Sequence, residues 1–303
     1  MAIVYLNGRF VQAERAKVSA FDRGFCYGDG LFETLRAYAG WVFALERHLG
    51  RLKKGAAHIG IPFEDGLARW RQVMDELLRR NGLQVCDSSL RLTLTRGADT
   101  LGSLLPPEAP ASPTLFLVAK PLDVGLSEHQ RLGIGAIALR WGNPFNPFGL
   151  KSPSYLYNML AMAQARREGE QEALFVAPDG SVVEGTTSNV FSVTKDVLTT
   201  PGEDSGLLPG ITREVVIELA RKEGLAVREA PVLLDDLLSA DEAFVTGSLK
   251  EIMPLTAIDG RKICAGSPGP ITRLLQKRYR AAVEEERLQG VGGAERDVRG
   301  AKP

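Results

Sequence analysis

The alternation of strand and helix patterns over roughly the first 120 residues restricts the fold most strongly. The chain begins with IVYLNGRFVQ, two apolar runs around Asn7-Gly8, which predict a β-hairpin. A second pair of runs surrounds Ala39-Gly40, and two helical patterns follow, the second ending at Gly82. SLRLTLTRG and PTLFLVAKPL predict two further strands. Such mixing of strands and helices is typical of an α+β domain.

The rest of the chain predicts a second domain. A strand LGIGAIALRW is followed by the loop GNPFNPFG, a helix, a meander of strands and two more helices. We therefore predict an α/β (α+β) protein of two domains. The predicted segments are a small α+β domain at 1–122, a polar linker at 123–131, a larger domain at 132–288 and a disordered tail at 289–303.

Composition excludes several function classes. The 303 residues contain 37 Lys and Arg against 37 Asp and Glu, so no excess charge indicates a nucleic-acid partner. No apolar run approaches the ~18 residues of a membrane span. The three cysteines are widely spaced, which favours a reducing cytoplasm. The three histidines lack metal-ligand spacing, so we expect no metal site.

The segment GIGAIA at 133–138 matches a loose form of the dinucleotide-binding motif. That motif requires a strand, a tight turn and then a helix. Here a strand-like run and a proline-containing loop follow, so we predict a plain strand.

The segment FGLKSPSYLYNMLAMAQA places Lys151 between a Gly-containing loop and a helix. A lysine that is partly removed from water has a lowered pKa and can act as a nucleophile. Most lysines are solvated surface cations instead, and the local sequence is compatible with both interpretations.

Glu184 ends an apolar run in SVVEGTTSNVF. Glutamate is disfavoured on a buried strand unless it has a partner, and a cationic ring nitrogen would be such a partner. An exposed turn position is an equally good interpretation of this segment alone.

Two segments could bind a phosphate. LLPGITREVV places Gly210, Ile211 and Thr212 at the start of a helix, where free N–H groups and the helix dipole favour an anion. Simple capping by Thr212 explains the same residues. VTGSLKEI offers small residues that can form a second anion-binding turn, and Arg51 could add a guanidinium.

Five segments in order, ERHLGRL, LKSPSYLYNMLA, VVEGTTSNVF, PGITRE and VTGSLKEI, resemble the motifs of one family. The family is the class IV pyridoxal-phosphate-dependent aminotransferases of fold type IV. It includes branched-chain and D-amino-acid aminotransferases and aminodeoxychorismate lyases. The resemblance covers about residues 20–260 and implies the two-domain fold of these enzymes, a pyridoxal 5′-phosphate cofactor, and a homodimer.

The resemblance also implies roles for individual residues. Lys151 corresponds to the lysine that binds the cofactor covalently, and Glu184 to the carboxylate that pairs with its ring nitrogen. The implied phosphate contacts are Arg51, Ile211, Thr212, Gly247 and Ser248. Tyr155 lies near the position of a tyrosine that contacts the ring hydroxyl, one residue closer to the lysine.

Substrate preference is the least constrained property. Tyr27, Phe32 and Arg36 resemble the pattern of L-branched-chain enzymes, and Arg91 falls where those enzymes carry an arginine. Thr34 replaces their glycine and resembles the lyases. The Arg-x-His motif of D-amino-acid enzymes does not follow TRG.

We therefore expect an aminotransferase that moves an amino group between an amino acid, L-branched-chain or broad, and a 2-oxo acid. A 4-amino-4-deoxychorismate lyase is the second hypothesis, and a D-amino-acid or (R)-amine transaminase the third. The expected partners are small-molecule amino and oxo acids and a second copy of the chain, with no nucleic acid or membrane. A non-catalytic relative and an unrelated binding protein are the rival classes.

Overall fold

The computed structural model describes residues 1–64, 66–99, 103–106, 112–122, 125–140, 146 and 149–300, with the backbone alone for 291–300. The predicted loop GNPFNPFG lies mostly outside these residues, and so does part of the Pro-rich segment LLPPEAPASP.

An antiparallel sheet occupies the first part of the chain. Among the described residues it has six strands in the order β2-β1-β6-β5-β3-β4. These strands are β1 Ile3–Leu6, β2 Arg9–Gln12, β3 Gly30–Tyr38, β4 Trp41–Val42, β5 Ser88–Thr95 and β6 Thr114–Pro121. The α-helices in this part are α1 Arg23–Tyr27, α2 Leu45–His58 and α3 Leu67–Arg80, and a short 3₁₀ helix spans Ala13–Arg15.

The predicted hairpins are confirmed. Leu6 pairs with Arg9, and the two residues between them, Asn7 and Gly8, have φ angles of 46° and 87°. Positive φ at both central residues is the geometry of a type I′ turn, which matches the twist of paired strands. The chain leaves α3 through Gly82, at φ 68°, where the sequence predicted the helix to stop.

The helices α2 and α3 cover one face of this sheet. Leu49 and Leu52 of α2 and Leu77 and Leu78 of α3 are each at most 2% exposed, and they pack in one cluster with strand residues such as Leu92. Their spacing places the apolar side chains on one helix face. This packing fixes α2 against β3, which matters for the site described below.

A larger mixed sheet follows. Within the described part of the chain its main path runs β12-β11-β10-β14-β15-β7-β8-β9-β13, and β16 pairs with β15. The strands are β7 Ile134–Leu139, β8 Glu172–Val176, β9 Ser181–Gly185, β10 Asn189–Thr194, β11 Val197–Thr200, β12 Ala226–Glu229, β13 Val232–Leu233, β14 Glu242–Gly247, β15 Glu251–Ile258 and β16 Arg261–Lys262. The helices are α4 Leu126–Leu132, α5 Leu156–Arg167, α6 Ile211–Lys222, α7 Leu234–Ser239 and α8 Pro270–Gly300, with a 3₁₀ helix at Glu203–Ser205.

The larger sheet has its own cores. Phe191 and Phe244, on β10 and β14, stack with ring centroids 4.9 Å apart beneath α6 and α8. The segment GIGAIA forms β7, which confirms the prediction of a plain strand over a dinucleotide motif.

Two predicted irregular segments are helical. The predicted linker at 123–131 contains most of α4. Packing of Leu126 on the core beside β7 stabilises this helix. The tail predicted to be disordered from residue 289 continues α8 as far as Gly300, and Gly290 lies directly against the ring of Trp41. The Ala, Glu and Arg residues of this stretch favour a helix. The separate sheets and cores support the division into two domains, whose boundaries stay a prediction.

Candidate active site

A cavity of about 700 Å³ lies between the two sheets. The ends of β9, β14 and α6, the loop before α5, and residues of β3, β5 and α2 line it. The predicted site residues among the lining are Phe32, Arg51, Arg91, Lys151, Tyr155, Glu184, Ile211, Thr212, Gly247 and Ser248. The fold thus brings together side chains separated by up to about 200 residues.

Lys151 enters the cavity from the loop before α5. Its carbonyl accepts a hydrogen bond from Phe32 N at 2.9 Å, which attaches the loop to β3. Asn146 holds the preceding residue, Leu150, by two hydrogen bonds to its backbone. Burial, together with the nearby Arg51 guanidinium, lowers the pKa of the Lys151 amine to about 8, although nearby carboxylates act in the opposite direction. The predicted partly buried lysine is therefore present.

Glu184 is half-buried at the end of β9 and faces the same cavity. Burial raises its pKa to about 7, although the Leu208 N–H, which donates to its carboxylate at 3.0 Å, and the Lys151 amine both favour the charged form. A carboxyl group with this pKa can hold or share a proton near neutrality.

Arg51 is held in place by a buried carboxylate. Its Nε and Nη2 donate to the two oxygens of Glu33 at 2.8 and 2.6 Å, and its Nη1 donates to the Pro209 carbonyl at 2.6 Å. His48 Nδ1 lies 2.7 Å from the same carboxylate. Burial would raise the pKa of Glu33, but Arg51 and His48 hold it at about 2. The guanidinium is thus fixed at the cavity wall before any ligand binds.

The start of α6 presents unpaired backbone donors to the cavity. Gly210 is the N-cap residue, and no side chain caps the helix, which is contrary to the alternative of capping by Thr212. A β-carbon at Gly210 would lie 1.9 Å from Asn189 Oδ1, so only glycine allows this close approach. Asn189 in turn pairs with Thr246 of β14, whose buried hydroxyl has no hydrogen-bond partner in the described structure. Free N–H groups and an unpaired hydroxyl are suited to an anion.

Arg91 lies over the ring of Phe32, with its guanidinium carbon 3.6 Å from the ring centroid. The ring of Tyr155 packs edge-on against the ring of Phe32, with the two centroids 5.2 Å apart. Burial lowers the pKa of Arg91, and no side-chain hydrogen bond or ion pair joins its guanidinium to a described residue. A half-buried guanidinium without a carboxylate partner can bind an anionic ligand group.

Two predicted substrate-binding residues lie elsewhere. Arg36 is held behind the cavity wall, because it pairs with Asp87 at 2.7 Å and Glu251 at 3.0 Å and donates to the Leu249 carbonyl. Tyr27, at the end of α1, is 43% exposed and does not appear among the described residues that line the cavity. Strand alternation places Arg36 on the same face of β3 as Phe32 and Thr34, but its two carboxylate partners hold its guanidinium away from the cavity.

Sequence reasoning missed the residues that hold the site together. Glu33 and His48 are 1% and 3% exposed; Glu33 accepts from Arg51, and His48 contacts the same Glu33 carboxylate. A signal was present for each: Glu33 interrupts an apolar strand, and His48 precedes Arg51 by three residues on one helix face.

Neither a metal site nor a membrane span occurs in the described ranges. No group of three or more His, Cys, Asp or Glu side chains there could hold a metal ion. No helix in that part of the chain is long and apolar enough to cross a bilayer.

Comparison with known families decides the classification. The sequence profile of the family Amino-transferase class IV matches residues 30–258. The chain belongs to the class IV aminotransferases.

Relatives of this class IV aminotransferase carry three kinds of name. A Methanocaldococcus jannaschii protein, provisionally named as a branched-chain-amino-acid aminotransferase, is 43% identical over 91% of this chain and 95% of its own. A Bacillus licheniformis D-alanine aminotransferase is 35% identical over 95% and 99%. A Bacillus subtilis aminodeoxychorismate lyase is 33% identical over 93% and 95%.

Solved structures of this family share the fold. The branched-chain aminotransferase of Escherichia coli superimposes with a TM-score of 0.85 at 30% identity, over 93% of this chain and 94% of that one. A Thermus branched-chain aminotransferase solved with pyridoxamine 5′-phosphate gives a TM-score of 0.83 at 31% identity over 93% and 94%. The predicted fold type IV architecture is confirmed.

Proposed function

We propose that this class IV aminotransferase uses pyridoxal 5′-phosphate to move an amino group between an amino acid, L-branched-chain or broad, and a 2-oxo acid. The observation that carries the proposal is the half-buried amine of Lys151, with a pKa of about 8, in one cavity with Glu184 and an anion-binding helix start. A lysine of this kind is a nucleophile and a proton carrier near neutral pH.

The chemistry of the cavity fits the cofactor. The unpaired Thr246 hydroxyl, the uncapped start of α6 at Ile211 and Thr212, and the fixed guanidinium of Arg51 are suited to its phosphate. Glu184 is suited to its ring nitrogen. When bound, pyridoxal phosphate supplies the electron sink that makes loss of the Cα proton feasible.

The side chains of the chain then have separate tasks. Lys151 Nζ would hold the cofactor and, once its amine is free, would take the proton from the substrate Cα and deliver it to C4′ of the cofactor, the relocation that transfer of the amino group requires. Burial favours the neutral amine needed for that step. The Glu184 carboxylate would hold a proton at the ring nitrogen of the bound cofactor. The aromatic wall of Phe32 and Tyr155 limits water at the reacting atoms.

Arg91 is the proposed contact for the substrate carboxylate, supported by its lack of a carboxylate partner among the described residues. We expect Arg91→Ala to raise KM for both acids by roughly tenfold or more, the value of one charge-assisted hydrogen bond. The matched control is Arg228→Ala, on β12, outside the described lining of the cavity. Unchanged KM values would remove Arg91 from the substrate site.

The substrate class is tested by converting the enzyme with single amino donors. We expect L-amino acids, and leucine, isoleucine or valine in particular, to convert the bound cofactor to its amine form. A 2-oxo acid should reverse the change with ping-pong kinetics. Conversion by D-amino acids or (R)-amines alone would replace the proposal with the third hypothesis.

One observation favours the lyase as a second candidate. Thr34 lines the cavity and pairs across the sheet with Arg91. If aminodeoxychorismate releases pyruvate rapidly while no amino acid converts the cofactor, the lyase takes the place of the aminotransferase.

We also propose a homodimer in the cytoplasm. Phe25 and Tyr27 of α1 and Leu156, Met159 and Leu160 of α5 are exposed apolar side chains. The two helices are adjacent, because the Ser152 hydroxyl donates to the Gly28 carbonyl between them. Exposed apolar side chains on two adjacent elements are typical of a subunit interface. The three cysteines are free, which agrees with a reducing compartment.

A further inference from the structure

Glu172, the first residue of β8, is fully buried and holds the turn that follows Glu184. Its Oε1 accepts hydrogen bonds from Thr186 N at 3.1 Å and Thr186 Oγ1 at 2.5 Å. Its Oε2 accepts from Ser188 Oγ at 2.8 Å. A carboxylate can accept all of these bonds only while it is ionised, since the protonated acid has less acceptor capacity. Glu172 therefore fixes the turn between β9 and β10 as an anion.

A second lysine supplies the opposite charge. Lys250 lies in the turn between β14 and β15, and its Nζ is 2.5 Å from Glu172 Oε2. Burial would raise the pKa of Glu172, but the Lys250 ammonium and the hydroxyl donors lower it. The proposed chemistry gives no task to this lysine, although it lines the cavity.

The backbone of the Lys250 turn is itself fixed from the other side. The carbonyl of Leu249 accepts from Arg36 Nη1 at 2.9 Å, and that of Lys250 accepts from Gln130 Nε2 at 3.0 Å. Glu251 has a φ of 56°, a conformation that non-glycine residues adopt at an energetic cost. The Lys250 side chain therefore extends from a backbone segment that hydrogen bonds already fix in place.

The ion pair joins two walls of the cavity. The turn after β9 follows Glu184, while Thr246 and Gly247 end β14 and Ser248 begins the turn that contains Lys250. The two turns are in close contact, because a β-carbon at Gly247 would lie 3.0 Å from the Thr187 carbonyl oxygen. One of these two walls carries Glu184, proposed to contact the ring nitrogen of the cofactor, and the other carries the groups proposed to bind its phosphate.

We propose that Lys250 is a positioning residue: its ion pair with Glu172 fixes the separation between the Glu184 carboxylate and the phosphate-binding turn. The inference rests on the proposed cofactor. A ligand that binds at both ends benefits from a fixed separation, whereas a ligand that binds at one end does not.

The experiment compares two probes on the apoenzyme, pyridoxal 5′-phosphate and pyridoxal, which lacks the phosphate. The measured quantity is the ratio of their dissociation constants. We expect Lys250→Met to reduce the preference for the phosphorylated probe by about tenfold, the value of one charge-assisted contact, with little effect on pyridoxal. Lys195→Met, an exposed lysine on the β10–β11 turn, is the matched control and should leave the ratio unchanged.

A double variant distinguishes the loss of the Glu172–Lys250 ion pair from the effect of the unpaired buried charge that the single substitution leaves. Glu172→Gln combined with Lys250→Met leaves no lone buried charge, so it should fold even if Lys250→Met does not. The ratio should stay low, because the two turns are still not joined by an ion pair. A wild-type ratio in the double variant, or equal weakening of both probes in Lys250→Met, overturns the inference. If the wild-type protein itself shows no preference for the phosphorylated probe, the proposed function fails instead.

Discussion

At the residue scale, the environment of Lys151 determines its chemistry more than its identity does. Burial moves its pKa from 10.5 to about 8, whereas an exposed lysine keeps its ordinary value. The native state therefore releases this proton before the unfolded chain does. The contribution of Lys151 to the free energy of unfolding therefore increases as the pH rises from about 8 to 10.5.

This pKa predicts selective reactivity of the apoenzyme. Labelling of Lys151 by an amine-directed reagent should rise with a midpoint near pH 8, because only the neutral amine reacts. Peptide mapping by mass spectrometry across a pH series measures this, with exposed Lys195 as the internal comparison. Parallel titration of the two lysines would show that Lys151 is solvated.

Glu184 is the second residue whose environment predicts a phenotype. Glu184→Gln removes the charge but keeps the shape and leaves the Leu208 N–H with an acceptor. We expect turnover to fall by roughly 10²-fold or more, as is usual for loss of an acid–base group, with the fold intact. Steady-state kinetics and thermal unfolding measure the two effects. Turnover close to wild type would refute the assigned role.

The sequence indicated Lys151 and Glu184 as site residues, but it did not indicate their burial or their pKa values. Lys151 and Glu184 were found from their flanking segments, while burial, which sets both pKa values, depends on contacts between distant parts of the chain. Arg36 is a different case: its strand position is evident from the sequence, but its two carboxylate partners, Asp87 and Glu251, lie far away in sequence.

At the element scale, the packing of α2 on β3 makes Arg51 a fixed cation. Arg51→Ala should weaken pyridoxal phosphate binding by roughly tenfold or more, because a charge-assisted contact to the phosphate is lost. Arg47 lies one turn earlier on α2, half-exposed, and pairs with Glu214 and Glu218 at 2.8 Å. Arg47→Ala should change binding little, since exposed ion pairs contribute weakly.

Equilibrium binding to the two apoenzymes is the measurement. If Arg51→Ala instead leaves cofactor affinity unchanged and alters the preference among amino donors, Arg51 belongs to the substrate side of the cavity.

The elements themselves were largely predictable because their signals are local. Turn residues at Asn7-Gly8 and the spacing of apolar residues in α2 and α3 specify hairpins and helices without reference to the rest of the fold. The short α4 was missed because seven polar-rich residues carry little periodicity. Its helical state depends on packing against β15 and β7.

At the scale of the whole molecule, the exposed apolar side chains of α1 and α5 predict self-association. Met159 is 63% exposed, and Met159→Glu should shift the protein from dimer to monomer by placing a charge in a dry interface. Val85, 87% exposed before β5, provides the control, and Val85→Glu should not change the sedimentation velocity. A wild-type monomer, or dissociation by both variants alike, would contradict the assigned surface.

The strand order within the two sheets could not be predicted from the sequence, because no local pattern indicates which strands pair when about a hundred residues separate them. The cavity exists only where the sheets meet, and its lining comes from both. The family resemblance supplied this architecture, and the comparison with solved structures confirmed it.

Covalent attachment of the cofactor to Lys151 is the step on which the proposed function depends. It is tested most directly by reducing the protein with borohydride in the presence of pyridoxal phosphate and mapping the labelled peptide by mass spectrometry. We expect a single pyridoxyl group on Lys151, because its amine lies in the cavity and burial lowers its pKa. A label on Lys120, Lys195 or Lys250 in place of Lys151 would contradict it.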